Sequence, residues 1–356
     1  MSIPTSQRAL ILPQKHGKFI VETYPVEKPG TGELLVRIES VSLNPIDWIV
    51  QALGVLITDY PAILGLDSAG VVAAVGEGVT SFAVGDKVLN QGSLAPRQGT
   101  FKQYTYVTAD SAAKIPANLN FDQAATVPLC LATAAVGLYA QPGGGGGAGL
   151  IPAWETEGRG KYAGQTIVIF GGATSVGQFV IQLAKLSGFS TIVTTVSPHN
   201  NTLVKSLGAT HMFDRRLSSQ EIFNEIRKIA SDSVKIAYAI AGDPLIQDLA
   251  YDLVASGGTV VSVLPSQIPQ EKLTPDKKFV TVNGNFRTPE KRALGVSLYS
   301  RLPELLASGE LKPTSVEVLP GGLYAIAEGL ERMKKGEISA GFNTESICMT
   351  LCETRT

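Results

Sequence analysis

The chain has 356 residues, 44% of them hydrophobic and 17% charged, enough apolar mass for a large core and, by length, for two domains. A formal net charge of −1 excludes the electrostatic footprint of a nucleic-acid or anionic-membrane binder. Three cysteines, Cys130, Cys348 and Cys352, are too few for a disulfide framework, and neither a leading apolar segment nor a run of ~18 apolar residues is read, so a cytoplasmic protein that neither enters secretion nor spans a membrane is expected.

From residue 8 to 125 strand and turn signals dominate, as in Leu34–Ile38, Ala69–Gly76 and Gly85–Leu89. This part reads as an irregular β-barrel. Near residue 122 the pattern turns helical, and Gln123–Tyr139 carries the chain toward a second domain. The glycine-rich stretch from Gly143 to Gly149 and on to Gly160 reads as a flexible surface loop without chemistry.

The most informative string follows. Ile167–Phe170 is a β-branched and aromatic run suited to a buried parallel strand, and it leads into Gly171, Gly172, Ala173, Thr174 and Ser175, small residues that let a phosphate approach the backbone. Val176–Leu186 then has helical spacing, so its N-terminal amides point toward a pyrophosphate. A second apolar strand, Ser190–Val196, completes a βαβ unit. Alternation continues to about residue 290 with a helix at Ile222–Ala230, a strand at Ile236–Ile240, a helix at Leu245–Leu253 and a strand at Gly258–Leu264, the pattern of a doubly wound sheet. The tail from Leu294 predicts helices at Leu302–Ser308 and Ala325–Lys334 and a strand at Ser346–Leu351 that returns to the first domain.

The second strand of an NAD site ends on an acidic residue, whereas this one ends Thr195-Val-Ser-Pro-His-Asn200. Ser197, His199 and Asn200 can donate to a 2′-phosphate, and Arg215 can pair with that phosphate or stack on adenine. NADPH is the expected cofactor. The same Ser-Pro-His-Asn string also suits a plain turn with a helix cap.

The domain order, together with Leu43-Asn-Pro-Ile-Asp47, Leu64-Gly-Leu-Asp-Ser-Ala-Gly-Val-Val72, Val75-Gly-Glu-Gly-Val79, Val84-Gly-Asp-Lys-Val88 and Lys205-Ser-Leu-Gly-Ala209, resembles the medium-chain dehydrogenase/reductase superfamily and its zinc-independent, quinone-reductase-like branch. Ser197-Pro-His-Asn200 and Pro320-Gly-Gly-Leu323 are similar to the fungal trans-acting enoyl reductases that partner polyketide synthases. This resemblance implies an α/β protein with a GroES-like irregular β-barrel domain over 1–130 and 295–356 and a Rossmann doubly wound parallel-sheet domain over 131–294. Zinc-dependent relatives place a Cys and a Gly-His-Glu string where this chain has Asn44 and Leu66-Asp67, so no metal is expected, and Asp67 reads as a capping or hydrogen-bonding residue.

The resemblance also implies that Asn44, Pro45, Ile46, Asp47 and Ile49, with Thr133, flank the nicotinamide and its ribose. Val263 and Leu264 reach the carboxamide region, Gly172, Ala173, Thr174, Ser175 and Val176 hold the pyrophosphate, and Leu129, Cys130, Leu131 and Thr133 line an apolar substrate wall or simply pack the helix. Enoyl reductases of this branch carry a lysine shortly after Asn-Pro-x-Asp, yet this chain has Ile49 there, which cannot donate a proton. The catalytic candidates are Tyr60, as general acid or as a rim residue, and Asp47, as an orienting or a purely structural carboxylate; the ribose 2′-hydroxyl, water and the region of Asn90 and Gln91 stay open.

The leading expectation is an NADPH-dependent reductase of C=C bonds conjugated to a carbonyl in a small lipophilic substrate, with a polyketide synthase carrier domain as candidate partner. The alternatives are a quinone reductase, a cofactor-bound non-redox enzyme of polyketide-type biosynthesis motivated by Ile49, and a cofactor-bound partner of a larger synthase. Monomer and homodimer both stay open, the candidate pairing edges being Thr259–Leu264 and Val280–Phe286.

Overall fold

The computed structural model describes residues 3–143, 146–231, 233–240 and 243–337, and the backbone of 346–350. Two of the consecutive glycines, at 144 and 145, the end of the predicted last strand at Leu351, Cys352 and the Cys348 side chain lie outside the described residues. The chain divides into two compact units, Met1–Leu129 with Tyr299–Thr356, and Cys130–Leu298.

In the first unit a hairpin of β1 (Ser6–Ile11) and β2 (Ile20–Pro25) precedes β3 (Glu33–Ser42), the longest strand of its sheet. Helix α1 (Pro45–Leu53) follows, then β4 (Asp67–Val75), β5 (Lys87–Gln91), β6 (Tyr104–Thr108), β7 (Ala112–Lys114) and helix α2 (Phe121–Ala125). Helix α1 begins at Asn44, has Pro at its first position and returns the Asp47 Oδ2 to the Asn44 amide at 2.9 Å. That start signal, a Pro and an acidic N3 residue, precedes apolar Ile46, Ile49, Val50 and Leu53 at helical spacing.

Helix α3 (Pro128–Tyr139) leads into the second unit. Together with α2 it forms an apolar stretch, Phe121–Tyr139, with mean hydropathy 1.3 and long enough to cross a membrane, but 67% of that window is buried inside the protein, as in a core helix.

The second unit contains β8 (Thr166–Phe170), α4 (Ser175–Leu186), β9 (Thr191–Val196), α5 (Asn201–Leu207), β10 (His211–Asp214), α6 (Ser219–Ala230), β11 (Ile236–Ala239), α7 (Pro244–Leu253), β12 (Thr259–Ser262) and β13 (Lys278–Thr281). The six strands form one sheet in the order β10-β9-β8-β11-β12-β13, every pair parallel. This is the doubly wound arrangement predicted from alternation. Val168 and Phe170 of β8 enter one core with Val193, Ala237, Ala239 and Val260, covered by Ile222 and Ile226 of α6 and Leu249 and Leu253 of α7. Successive strand residues face opposite sides, so the equally buried Ile167 and Ile169 serve the other layer.

Helix α8 (Pro289–Ala307) is one continuous 19-residue element with Pro303 inside it, where the sequence pattern predicts only its last turns. The tail adds β14 (Val316–Val318), α9 (Ile326–Lys334) and β15 (Ser346–Thr350) to the first unit. β15 pairs antiparallel with β3, and Ile326 and Leu330 of α9 join the core of Leu43, Val50 and Leu64, which realises the predicted return.

Two expectations are corrected. Thr259–Ser262 is not an edge, because β12 pairs with β11 on one side and β13 on the other. The described part of the glycine insert is not a loose surface loop: Gly146 and Gly147 are buried, and the amides of Gly147, Ala148 and Leu150 bond to the Ala140, Gly137 and Leu138 carbonyls at the end of α3. A Cβ on Gly147 would lie 2.1 Å from the Val136 carbonyl oxygen. The glycines let backbone cap backbone.

Candidate active site

Strand β8 ends at Gly171, whose φ of 92° lies in the left-handed region open to glycine, and the chain turns there into α4. A Cβ on Gly172 would sit 2.0 Å from Thr194 Oγ1, and one on Gly177 would sit 2.3 Å from the Gly171 carbonyl oxygen. Only glycine fits either place. Thr174 caps α4: its hydroxyl donates to the Gly171 carbonyl at 2.7 Å and accepts from the Gly177 amide at 3.1 Å. Ser175 and Val176 open the helix, so the predicted turn from Gly172 to Val176 is brought together at the carboxyl end of a parallel strand.

At the end of the neighbouring β9, Ser197 receives a 2.8 Å hydrogen bond from Arg215 Nε, which follows β10. Asp214, the only carboxylate close by in sequence, is engaged by Arg216 at 2.7 Å, and that exposed pair holds its carboxyl below the ordinary range. His199 and Asn200 form a 3-10 turn running straight into α5, so the Ser-Pro-His-Asn string does serve as a helix entry. Val263 and Leu264 leave β12 at its carboxyl end, the Val263 amide reaching the Ala239 carbonyl and the Leu264 amide the Ser262 hydroxyl. These second-unit residues all sit at strand C-termini. On α3, Thr133 is half-buried, while Leu131 is fully buried and so packs the interior instead of lining an accessible wall; Cys130 is half-buried, as is Leu129 at the end of the first unit.

In the first unit Asn44 Nδ2 donates to Asp67 Oδ2 at 2.8 Å, and Asp67 Oδ1 accepts from the Leu129 amide at 2.7 Å. Both oxygens of Asp67 thus tie α1, β4 and α3 together, the hydrogen-bonding role expected of it. Asp47 is 0% exposed; its Oδ2 accepts from the Asn44 amide at 2.9 Å, and the Gly65 amide also favours its charged form. Burial pushes Asp47 up to about 7 and Asp67 up to about 8, Asp67 being raised further by the nearby Asp47 charge. Pro45 is exposed and Ile46 and Ile49 half-exposed on the same helix. Tyr60 packs beside the core with its hydroxyl buried and unpartnered. Asn90 is fully buried, accepting from Ser68 Oγ at 3.0 Å.

The sequence reading missed the Asn44–Asp67 bridge, whose two partners are 23 residues apart and adjacent only because α1 follows β3 and β4 pairs back onto it. It also missed Tyr238 of β11, whose hydroxyl donates to the Thr133 carbonyl at 2.7 Å.

Residues 30–117 match the alcohol dehydrogenase GroES-like domain family, and residues 175–301 match the zinc-binding dehydrogenase family. The latter segment contains no cysteine here and only His199 and His211, and no group of three or more His, Cys, Asp and Glu able to hold a metal exists among the described residues. The dehydrogenase azaJ of Aspergillus niger is 35% identical over 348 residues, covering 92% of this chain and 95% of that protein. The enoyl reductase component lovC of the Aspergillus terreus lovastatin nonaketide synthase is 31% identical over 365 residues, covering 95% of each. An alcohol dehydrogenase superfamily protein from Novosphingobium aromaticivorans superposes with a TM-score of 0.78 at 26% identity, covering 97% of this chain and 99% of that one.

Proposed function

The chain belongs to the medium-chain dehydrogenase/reductase superfamily, oxidoreductases that work with nicotinamide cofactors, and we propose that it is an NADPH-dependent, zinc-independent reductase of carbon–carbon double bonds conjugated to a carbonyl. The observation that carries the choice of NADPH is the Arg215–Ser197 hydrogen bond at the end of β9, a strand that ends without an acidic residue while the neighbouring Asp214 is paired with Arg216. The engagement of both Asp67 oxygens by Asn44 and Leu129 supports a zinc-independent reaction, since a ligand carboxylate needs an oxygen aimed at the metal.

When bound, the cofactor supplies a hydride to the β-carbon of the substrate. The turn from Gly172 to Val176 binds the pyrophosphate, with Thr174 holding the first turn of α4 in shape. Ser197, His199, Asn200 and Arg215 bind the 2′-phosphate. Asn44 and Thr133 orient the nicotinamide ribose, Val263 and Leu264 orient the carboxamide, and Asp47 keeps Asn44 in place through its amide. Tyr60 donates a hydrogen bond to the developing enolate oxygen, and a proton from solvent water completes the reduction at the α-carbon. The buried, unpartnered Tyr60 hydroxyl supports its assignment as that donor, and with Ile49 in the lysine position no ammonium competes for the task.

The substrate is a lipophilic enone, enal or acyl thioester, and the similarity to lovC supports delivery by a polyketide synthase carrier domain. The test is transfer of deuterium from C4-deuterated NADPH to the β-carbon of a cinnamoyl or crotonyl thioester. Label at that carbon is the expected result; consumption of NADPH with label found only in solvent, or reduction confined to quinones, overturns the double-bond assignment.

A further inference from the structure

Tyr238 is the third residue of β11, in the centre of the parallel sheet, and its side chain is completely buried. A phenylalanine would fill the same volume without a hydroxyl to satisfy. The hydroxyl instead donates to the Thr133 carbonyl oxygen on α3 at 2.7 Å, using the second lone pair that a helical carbonyl keeps after its own ladder bond. One turn further along α3, a Cβ on Gly137 would lie 2.3 Å from Tyr238 Oη and 2.6 Å from two of its ring carbons. The helix has therefore given up a side chain to let the phenol seat against it.

Thr133 is gripped from another direction as well. A Cβ on Gly284 would sit 2.4 Å from Thr133 Oγ1, 2.9 Å from its amide nitrogen and 3.0 Å from its Cα. The loop that carries Gly284 is itself fixed: the Val282 amide bonds to the Ser262 carbonyl at 2.8 Å, and the buried Lys291 ammonium donates to the Asn283 carbonyl at 3.0 Å. Two separate elements, β11 and the loop after β13, converge on one threonine of α3.

We infer that Tyr238 is a positioning residue for Thr133, its phenol fixing where α3 presents the Thr133 hydroxyl while the Gly284 backbone closes the other side. Tyr238 touches no substrate or cofactor in this role; it acts through the register of α3 on the sheet. The inference rests on the assignment of Thr133 to the nicotinamide ribose. A misplacement of ~1 Å in a positioning group can cost ~10²-fold in rate, so a threonine held through its carbonyl on one side and closed off at its hydroxyl on the other is what such a site requires.

The experiment is a double-mutant cycle read in kcat, KM for NADPH and melting temperature on the full chain: parent, Tyr238→Phe, Thr133→Val and the double variant. Tyr238→Phe is expected to lower kcat/KM by roughly 10-fold in the parent and to have no further effect in the Thr133→Val background, while its change in melting temperature is the same in both. Equal multiplicative losses in the two backgrounds mean a merely structural tyrosine and overturn the inference alone. Full activity of Thr133→Val overturns the assignment of Thr133 and the inference with it. Should Tyr238→Phe fail to fold, Gly284→Ala serves the same cycle from the opposite side, and additivity with Thr133→Val overturns the inference equally.

Discussion

Replacing Gly172 by Ala places a methyl group 2.0 Å from Thr194 Oγ1, 2.9 Å from Thr194 Cβ and 3.0 Å from Ile181 Cδ1. Relaxed contacts of this kind lie near ~3.5 Å, so the strand-to-helix turn and β9 must separate by roughly 1.5 Å or Thr194 must rotate. Rotation is costly, because Thr194 is fully buried and its hydroxyl donates to the Ile169 carbonyl at 2.7 Å. Overpacking of about 1–3 kcal/mol plus about 1 kcal/mol for the lost hydrogen bond gives a destabilisation of about 2–4 kcal/mol. In a unit of this size that corresponds to a fall in melting temperature of about 5–15 °C.

The displaced turn is the one assigned to the pyrophosphate, so NADPH affinity is expected to fall by at least ~10-fold, equivalent to ~1.4 kcal/mol. Calorimetric melting and NADPH titration on Gly172→Ala measure the two effects. In the Gly172→Ala/Thr194→Ala double variant the 2.0 Å conflict is gone and only the contacts near 3 Å remain, so part of both losses is recovered. Parent stability with parent affinity in Gly172→Ala would refute the packing argument, and lost stability with unchanged affinity would refute the assignment of this turn to the cofactor.

Removing the guanidinium in Arg215→Ala is expected to weaken NADPH binding by roughly 10- to 100-fold, the loss of one charge-assisted contact, and to leave NADH binding unchanged; titration with both cofactors checks this. The folded acidities of Asp47 and Asp67 lie above the ordinary 3.8, so their contribution to stability is full below that value and lost as pH rises through about 7 and about 8. Melting temperature should therefore fall across that interval, with a slope of up to about 1.4 kcal/mol per pH unit for each proton released, and Asp47→Asn should flatten the profile. Burial holds Lys102 down at about 7 while its ammonium donates to the Pro96 and Arg97 carbonyls at 2.8 and 2.7 Å. The cost of that buried charge is present below about 7 and fades toward the ordinary 10.5, so Lys102→Met should lose more stability relative to the parent at alkaline pH and should expose Arg97 to faster tryptic cleavage.

The parallel sheet was legible because its strands are short apolar runs separated by periodic helices, and the strand-to-helix turn because Gly171 to Ser175 interrupt that pattern with small residues. Strand β10 is four residues and half-exposed, without the wholly buried apolar run that marks the equally short β11 and β12; β13 is anticipated only as an edge over Val280–Phe286, and helix α1, with apolar Ile46, Ile49, Val50 and Leu53 at helical spacing, lies inside a segment dominated by strand signals. Five consecutive glycines suggest a loose loop from composition alone. The bonding of the Gly147, Ala148 and Leu150 amides to the last carbonyls of α3 is a tertiary event that no local propensity encodes. Of the site, the residues at strand C-termini follow from topology, whereas the Asn44–Asp67 and Tyr238–Thr133 contacts join positions 23 and 105 apart and needed the fold. The likeness to zinc-binding dehydrogenases extends to the architecture, within which Asn44 Nδ2 donates to Asp67 Oδ2.

The proposed reaction is reduction of an activated double bond by NADPH without a lysine at position 49. Oxidation of NADPH, followed by absorbance against enones, enals, quinones and enoyl thioesters with NADH in parallel and Ile49→Lys beside the parent, tests it directly. Turnover by the parent on a conjugated carbonyl substrate, with NADPH preferred over NADH and with that turnover lost in Tyr60→Phe, is the expected result. Tight NADPH binding with no oxidation by the parent, and activity appearing only in Ile49→Lys, would contradict it.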